Sequence, residues 1–201
     1  LIEPIKMAKE IIMDAKTVLV CLTDENGRQG WGEVSVAPLM TGETLESLLA
    51  SVKYLVEKMR PIDLTDPKGF TKQLDTLLYC NPSAKSCIEM ALLDLYTQIE
   101  AIPLWKYLQS LDTGNVPLGP ENIPLLRMLG GTLEKEIEDA KTLRKTGFKH
   151  WKIKIGLLSL DEDLYRVKVL TDLLKGDVVS VDANGAMSLE DPIRFCESTE
   201  A

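Results

Sequence analysis

The sequence predicts two successive folds in one chain: an α+β region built from a β-hairpin and a run of helices, then a parallel sheet of alternating strands and helices. Three observations predict it. Residues 17–36 alternate in β-rich runs about an Asp24-Glu25-Asn26-Gly27 turn. Residues 45–99 then carry apolar side chains at intervals of three and four. From residue 123 onward, short apolar runs alternate with amphipathic segments that end in glycine.

Each element has its own signal. Residues 1–16 hold Pro4 and mixed charges and read as loop with a possible helical turn. Thr17 to Thr23 is rich in β-branched and apolar residues, and Gln29 to Val36 returns as its partner. Leu45, Leu48, Leu49, Val52, Leu55 and Val56 make the first helical stripe, with Pro61 past its end. A second helix is expected over 67–78. The clearest is 84–99, where Ala84, Cys87, Ile88, Ala91, Leu92, Leu95 and Ile99 share one face and Ser83 offers an N-cap. Pro103 opens a short helix through Leu108. Two Gly and two Pro mark 113–121 as a linker. Strands at 123–129, 150–155 and 178–181 then alternate with helices at 133–145, 160–174 and from 189, an order that predicts right-handed parallel crossovers. Three such units cannot close a barrel. Together with a first residue that is Leu1 and a last that is Ala201, this makes a piece of a longer protein the expectation.

Composition bounds the function. The 201 residues are 45% hydrophobic and 27% charged, as in a globular domain. The net charge of −8 repels phosphate backbones and argues against nucleic acid. No apolar run is long enough for a bilayer, so no membrane partner is expected. Cys21, Cys80, Cys87 and Cys196 have no paired spacing and read as reduced, mostly buried thiols of a cytoplasmic protein. One histidine, His150, and no CxxC make a zinc site improbable.

The chemistry gathers at Trp151-Lys152-Ile153-Lys154-Ile155-Gly156. In a strand, Lys152 and Lys154 point to one face and Trp151, Ile153 and Ile155 to the other. Two lysines on a covered face are costly without a purpose; the plain alternative is a solvated edge strand. One βαβ unit later, Val178-Val179-Ser180-Val181 runs into Asp182-Ala183-Asn184-Gly185. A carboxylate at the carboxyl end of a parallel strand stands where α/β folds build active sites. Ser188, followed by Glu190 and Asp191, is better placed to cap the next helix, which leaves Asp182 free for chemistry. Lysines about 7 Å apart repel by roughly 2 kcal/mol at an effective dielectric of about 20. That favours a neutral amine able to act as a base. Asp182 suits one oxygen position of a hard cation such as Mg²⁺. His150 shares the lysine face but lies earlier on its strand, away from the chemistry.

The sequence resembles the enolase superfamily, in its muconate-lactonizing enzyme/mandelate racemase branch. The likeness is carried by Gly30-Trp31-Gly32-Glu33, by Thr41-Gly42-Glu43-Thr44 and by the helix from Asn81-Pro82-Ser83-Ala84-Lys85 to Leu95. Ile102-Pro103-Leu104-Trp105, Lys152-x-Lys154 and Asp182-x-Asn184 follow in order. The resemblance implies an α+β capping domain over residues 1–118, its first strand missing, and an incomplete (β/α) TIM-like barrel over 119–201. It implies abstraction of a proton α to a carboxylate, with Lys154 as base. Lys152 would sit against the substrate carboxylate and depress the pKa of Lys154. Asp182 would be the first Mg²⁺ ligand, the rest lying beyond Ala201. Asn184 and, more weakly, Thr41 would face the substrate, since the cap loops at 1–16 and 38–42 lie over the barrel mouth in relatives. Within the branch, racemases, cycloisomerases, o-succinylbenzoate synthases and dipeptide epimerases remain open, with a lean to the last. An acid-sugar dehydratase of mandelate-racemase type is the runner-up. The partner is then a small-molecule carboxylate, and a full-length protein would be a homo-oligomer. A non-catalytic remnant or a binding module with an edge-strand lysine pair is the alternative of another class.

Overall fold

The computed structural model describes residues 4–6, 11–62, 64–111, 123–188 and 190–199. The chain divides into two compact units, Asp14–Gly119 and a second made of Leu1–Met13 with Pro120–Ala201. In chain order, β1 (Ile5–Lys6) and β2 (Ile11–Ile12) form a short antiparallel pair with Ile5 opposite Ile12. Residues 5–6 and 11–12 are thus paired where a loop was expected, while residues 4 and 13–16 are irregular, as read. The linker expected at 113–121 lies outside the described residues, as do Leu189 and Ala201.

The Asp14–Gly119 unit is a hairpin with helices on one face. Strands β3 (Thr17–Thr23) and β4 (Gln29–Ser35) pair antiparallel, Val20 opposite Gly32. Their turn is held by Asp24, whose carboxylate accepts the Asn26 and Arg28 amides at 2.9 and 2.8 Å and Arg28 Nε at 2.7 Å. Then come α1 (Pro38–Thr41), α2 (Leu45–Lys58), α3 (Pro67–Leu77), α4 (Pro82–Ile99) and α5 (Leu104–Leu111). Thr44 and Ser47 close a capping box on α2, and Asp66 caps α3.

The packing of α4 explains the Gly-Trp-Gly motif. Its stripe Ala84, Cys87, Ile88, Ala91 and Leu92 is fully buried. Opposite it, Val18 and Val20 of β3 alternate inward with Gly30 and Gly32 of β4. A Cβ on Gly32 would collide with the Cys87 carbonyl oxygen, and one on Gly30 with that of Ala91. The helix backbone thus lies directly on the strand, which only glycine permits. Trp31 between them points outward, half exposed, while its amide donates to Asp94 Oδ2 at 2.8 Å.

Ser83 does not cap α4. The carboxylate of Glu43, forty residues earlier and buried, accepts the amides of Ser83 at 3.1 Å and Ala84 at 3.3 Å. The reason is local: Asn81, in left-handed backbone, and Pro82 put the helix start one residue before the expected cap. A helix end carries unsatisfied amides and partial positive charge, and a carboxylate meets both needs. The cysteine expectation also changes, for only Cys87 is buried. Cys21 falls on the outward face of β3, Cys80 in the turn before α4 and Cys196 on the exposed side of a later helix.

The second unit is a three-stranded parallel sheet in the order β5 (Leu126–Leu129), β6 (His150–Lys154), β7 (Val178–Asp182). The first strand is shorter than the 123–129 expected. Helices α6 (Leu133–Lys145) and α7 (Leu160–Leu173) form the crossovers, and α8 (Glu190–Thr199) follows β7. The core joins Leu129, Trp151, Ile153 and Ile155 to Ala140, Val167, Leu170 and Phe195. The helices therefore cover the Trp151 face of β6, as the alternation predicts. Among the described residues, no helix is long and apolar enough to cross a membrane.

Candidate active site

Parallel pairing of β6 and β7 sets Lys154 beside Asp182 and Lys152 beside Ser180, so the last residues of both strands meet at the carboxyl edge of the sheet. Lys154 Nζ lies 2.8 Å and Lys152 Nζ 3.1 Å from the same oxygen, Asp182 Oδ2. Asn184 completes the group. Its backbone is left-handed, with φ 48°, a conformation that asparagine tolerates better than most residues. Its amide donates to Asp182 Oδ1 at 2.9 Å, and its side-chain oxygen accepts from Lys154 Nζ.

The lysine face is neither a dry core nor open solvent. The Lys154 side chain is 17% exposed, Lys152 32% and Asp182 28%. The Lys154 hydrogen bond, then the Asn184 amide and the Lys152 amine, hold the Asp182 carboxyl well below the usual carboxylate range. The acid is ionised at any physiological pH.

The turns after the two strands are stitched together. The Ile155 amide donates to the Asp182 carbonyl at 3.1 Å, continuing the ladder past β6. At Gly156, φ is 84° and an added Cβ would stand 2.8 Å from Ala186 Cβ, so a side chain is excluded on two counts. Ser188 accepts the Asp191 amide at the start of α8, the capping role expected of it.

His150 sits at the opposite end of β6, paired with Leu126 and Val178, about 13 Å along the strand from Lys154. Thr41 belongs to the other unit. Its hydroxyl donates to the Ala37 carbonyl and accepts the Glu43 amide, both at 3.3 Å.

Behind the lysine strand lies a buried ionic cluster that sequence reasoning missed. Arg166 of α7 donates to Glu136 of α6 through Nε at 2.8 Å and Nη2 at 3.2 Å, and to Asp163 through Nη1 at 2.6 Å. Glu136 and Asp163 have no exposed surface. Burial pushes the Glu136 carboxyl upward, against the pull of the Arg166 hydrogen bond. A signal was present: Glu136 interrupts the Leu133–Ile137–Ala140 stripe, and Asp163 and Arg166 interrupt that of Leu160, Val167 and Leu170.

Residues 1–108 match the family described as mandelate racemase/muconate lactonizing enzyme, N-terminal domain. The chain belongs to this family. It is 27% identical over 203 residues to a hydrophobic dipeptide epimerase of Citrifermentans bemidjiense, a match covering 100% of this chain and 54% of that protein. Among solved structures, a substrate-liganded complex of the L-Ala-D/L-Glu epimerase from Bacillus subtilis superposes with a TM-score of 0.84 at 25% identity, over 98% of this chain and 54% of that one. A dipeptide epimerase from Cytophaga hutchinsonii, complexed with Mg and D-Ala-L-Val, gives 0.82 at 25% identity, over 98% and 52%. The chain spans about half the length of the curated relatives it matches. It is therefore a family capping domain followed by the opening strands and helices of the barrel, as the motif order implied.

As donors for a hard cation, the ionised oxygens of Asp182 fit one position. The described residues contain no group of three or more His, Cys, Asp or Glu side chains that could hold a metal, so Asp182 by itself does not make a complete site.

Proposed function

We propose that the full-length protein removes and returns the proton α to the carboxylate of a small substrate, in the manner of the dipeptide epimerases it is similar to. One observation carries this reading: two lysines, two residues apart on β6, converge on a single ionised aspartate at the end of β7. Lys154, as the free amine, takes the α-proton, and the electron pair of the broken C–H bond moves toward the carboxylate. Lys152 lies one pleat back on the same face and neutralises the charge that develops there. Asp182 and Asn184 orient Lys154 and keep its amine at the strand end. Asn184 faces the substrate in this reading. Mg²⁺ held in part by Asp182 would supply further positive charge to the substrate carboxylate. Four free cysteines fit a cytoplasmic site of action.

The test is α-hydrogen exchange of dipeptides in deuterated buffer, followed by proton NMR on the full-length protein. The native enzyme should exchange the α-position of at least one dipeptide class, and Lys154→Ala should lower that rate about 10³-fold with the fold kept. Exchange that survives in Lys154→Ala would show that the base lies elsewhere.

A further inference from the structure

The Arg166 cluster does more than fill space between two helices. Arg166 Nη2 also donates to the backbone carbonyl of Lys154 itself. Asp163, bonded to the same guanidinium, accepts the Gly156 amide at 2.6 Å through its other oxygen, Oδ2. The cluster thus grips β6 on both sides of Ile155, at the carbonyl before it and the amide after it. These backbone groups stand at the strand end, where the ladder to β7 runs out after the Ile155 amide. A buried carbonyl and amide left unmatched there would each carry a desolvation cost.

The guanidinium suits this task. It is planar and permanently charged, and it sends three nitrogens in fixed directions to Glu136, Asp163 and the Lys154 carbonyl. Glu136 comes from α6, so both crossover helices are tied to one peptide of the lysine strand. Two carboxylates against one guanidinium would be an expensive way to join helices if joining were all they did. The placement instead fixes the ψ of Lys154 and the φ of Gly156, and with them the direction in which the Lys154 side chain leaves the sheet.

We propose that Arg166, held by Glu136 and Asp163, is a positioning residue that aims Lys154 through its backbone. This rests on the reading of Lys154 as the base. Neither Arg166 nor its partners touch substrate in this scheme. A displacement of about 1 Å at a reacting group can cost 10²-fold in rate, so the cluster acts on turnover rather than on binding.

The experiment uses the full-length protein with Arg166→Lys and Asp163→Asn, conservative changes that keep charge or shape. The first leaves one donor group where three directions were served; the second weakens the hold on the Gly156 amide. Both should lower kcat for α-hydrogen exchange about 10- to 100-fold, with KM changed by no more than about twofold. Hydrogen–deuterium exchange should accelerate at the Gly156 amide, while the Trp151 and Ile153 amides keep their protection. Three results would overturn the proposal: unchanged kcat in both variants, unchanged protection at Gly156, or loss of protection throughout 150–174, which would mark the cluster as general scaffolding. Lys154→Ala in the same assay separates the two readings. Retained α-exchange there would remove the base assignment, while the Gly156 amide would still report whether Arg166 holds the strand end.

Discussion

Strand β7 is flanked by two aspartates, and they have opposite fates. Asp177, just before its first residue, accepts Trp151 Nε1 at 3.1 Å and pairs with Arg144 at 2.9 Å and Lys149 at 3.3 Å. Asp182, its last residue, takes two lysine amines and the Asn184 amide. The donor counts are alike, but the accessibility is not. The Asp177 side chain is 1% exposed and that of Asp182 28%. Asp177 is closed by a tryptophan and an arginine that also donates to the Leu173 and Lys175 carbonyls, so its partners have structural work of their own. Asp182 is met by two lysine side chains and stays partly open to solvent. Partner chemistry, rather than partner number, separates the closed fastening from the group proposed to be reactive.

The sharpest way to break this comparison is to delete each acid in turn. Asp182→Ala in the full-length protein should lower turnover by about 10² to 10³-fold, with little change in melting temperature. Asp177→Ala should do the reverse, lowering the melting temperature by several degrees through the stranded Trp151 indole N–H, with turnover within about twofold of native. Comparable turnover losses in the two variants would end the distinction. A milder change, Asp182→Asn, should raise the Mg²⁺ concentration needed for half-maximal activity about tenfold or more; an unmoved metal titration would take Asp182 out of the cation site.

The smallest effect is on acid stability. The folded chain holds the Asp182 carboxyl below its unfolded value of about 3.9. Its contribution is therefore complete above that pH and declines as pH falls toward the lower folded value. Glu136 has the opposite sign. Its carboxyl is pushed up by burial, so the folded state favours the protonated form, and that contribution grows as pH falls through the raised value. Acid titrations of Asp182→Asn and Glu136→Gln against native protein should thus diverge in opposite directions, which urea unfolding at several pH values would read.

How much of this was legible beforehand follows from the range of the interactions. Alternation placed Lys152 and Lys154 on one face, and strand order placed Asp182 beside them, because period and register are local rules. The helix stripe of α4 was legible for the same reason. Partnerships set by tertiary packing were not. Glu43 reads as a residue near a helix start, and nothing in its neighbours says that it serves a different helix forty positions on. Position at the carboxyl end of a strand marked Asp182, but nothing in the sequence says that Asp177, at the other end, closes against Trp151. The exposed cysteines escaped because burial tendency is a statistical property of the residue type, whereas Cys21 is exposed through its parity on β3.

The tether from Glu43 to the start of α4 has a consequence for motion. The short α1 turn, with Leu39 and Met40 bared to solvent, is joined to that tether through Gly42, whose φ is 77°. Swinging of α1 about the glycine leaves the tether intact, but any larger excursion must strip the Ser83 and Ala84 amides of their acceptor. Only a loosening that carries Glu43 away is coupled to fraying of the helix start forty residues on, and the deuterium uptake of those two amides should report it.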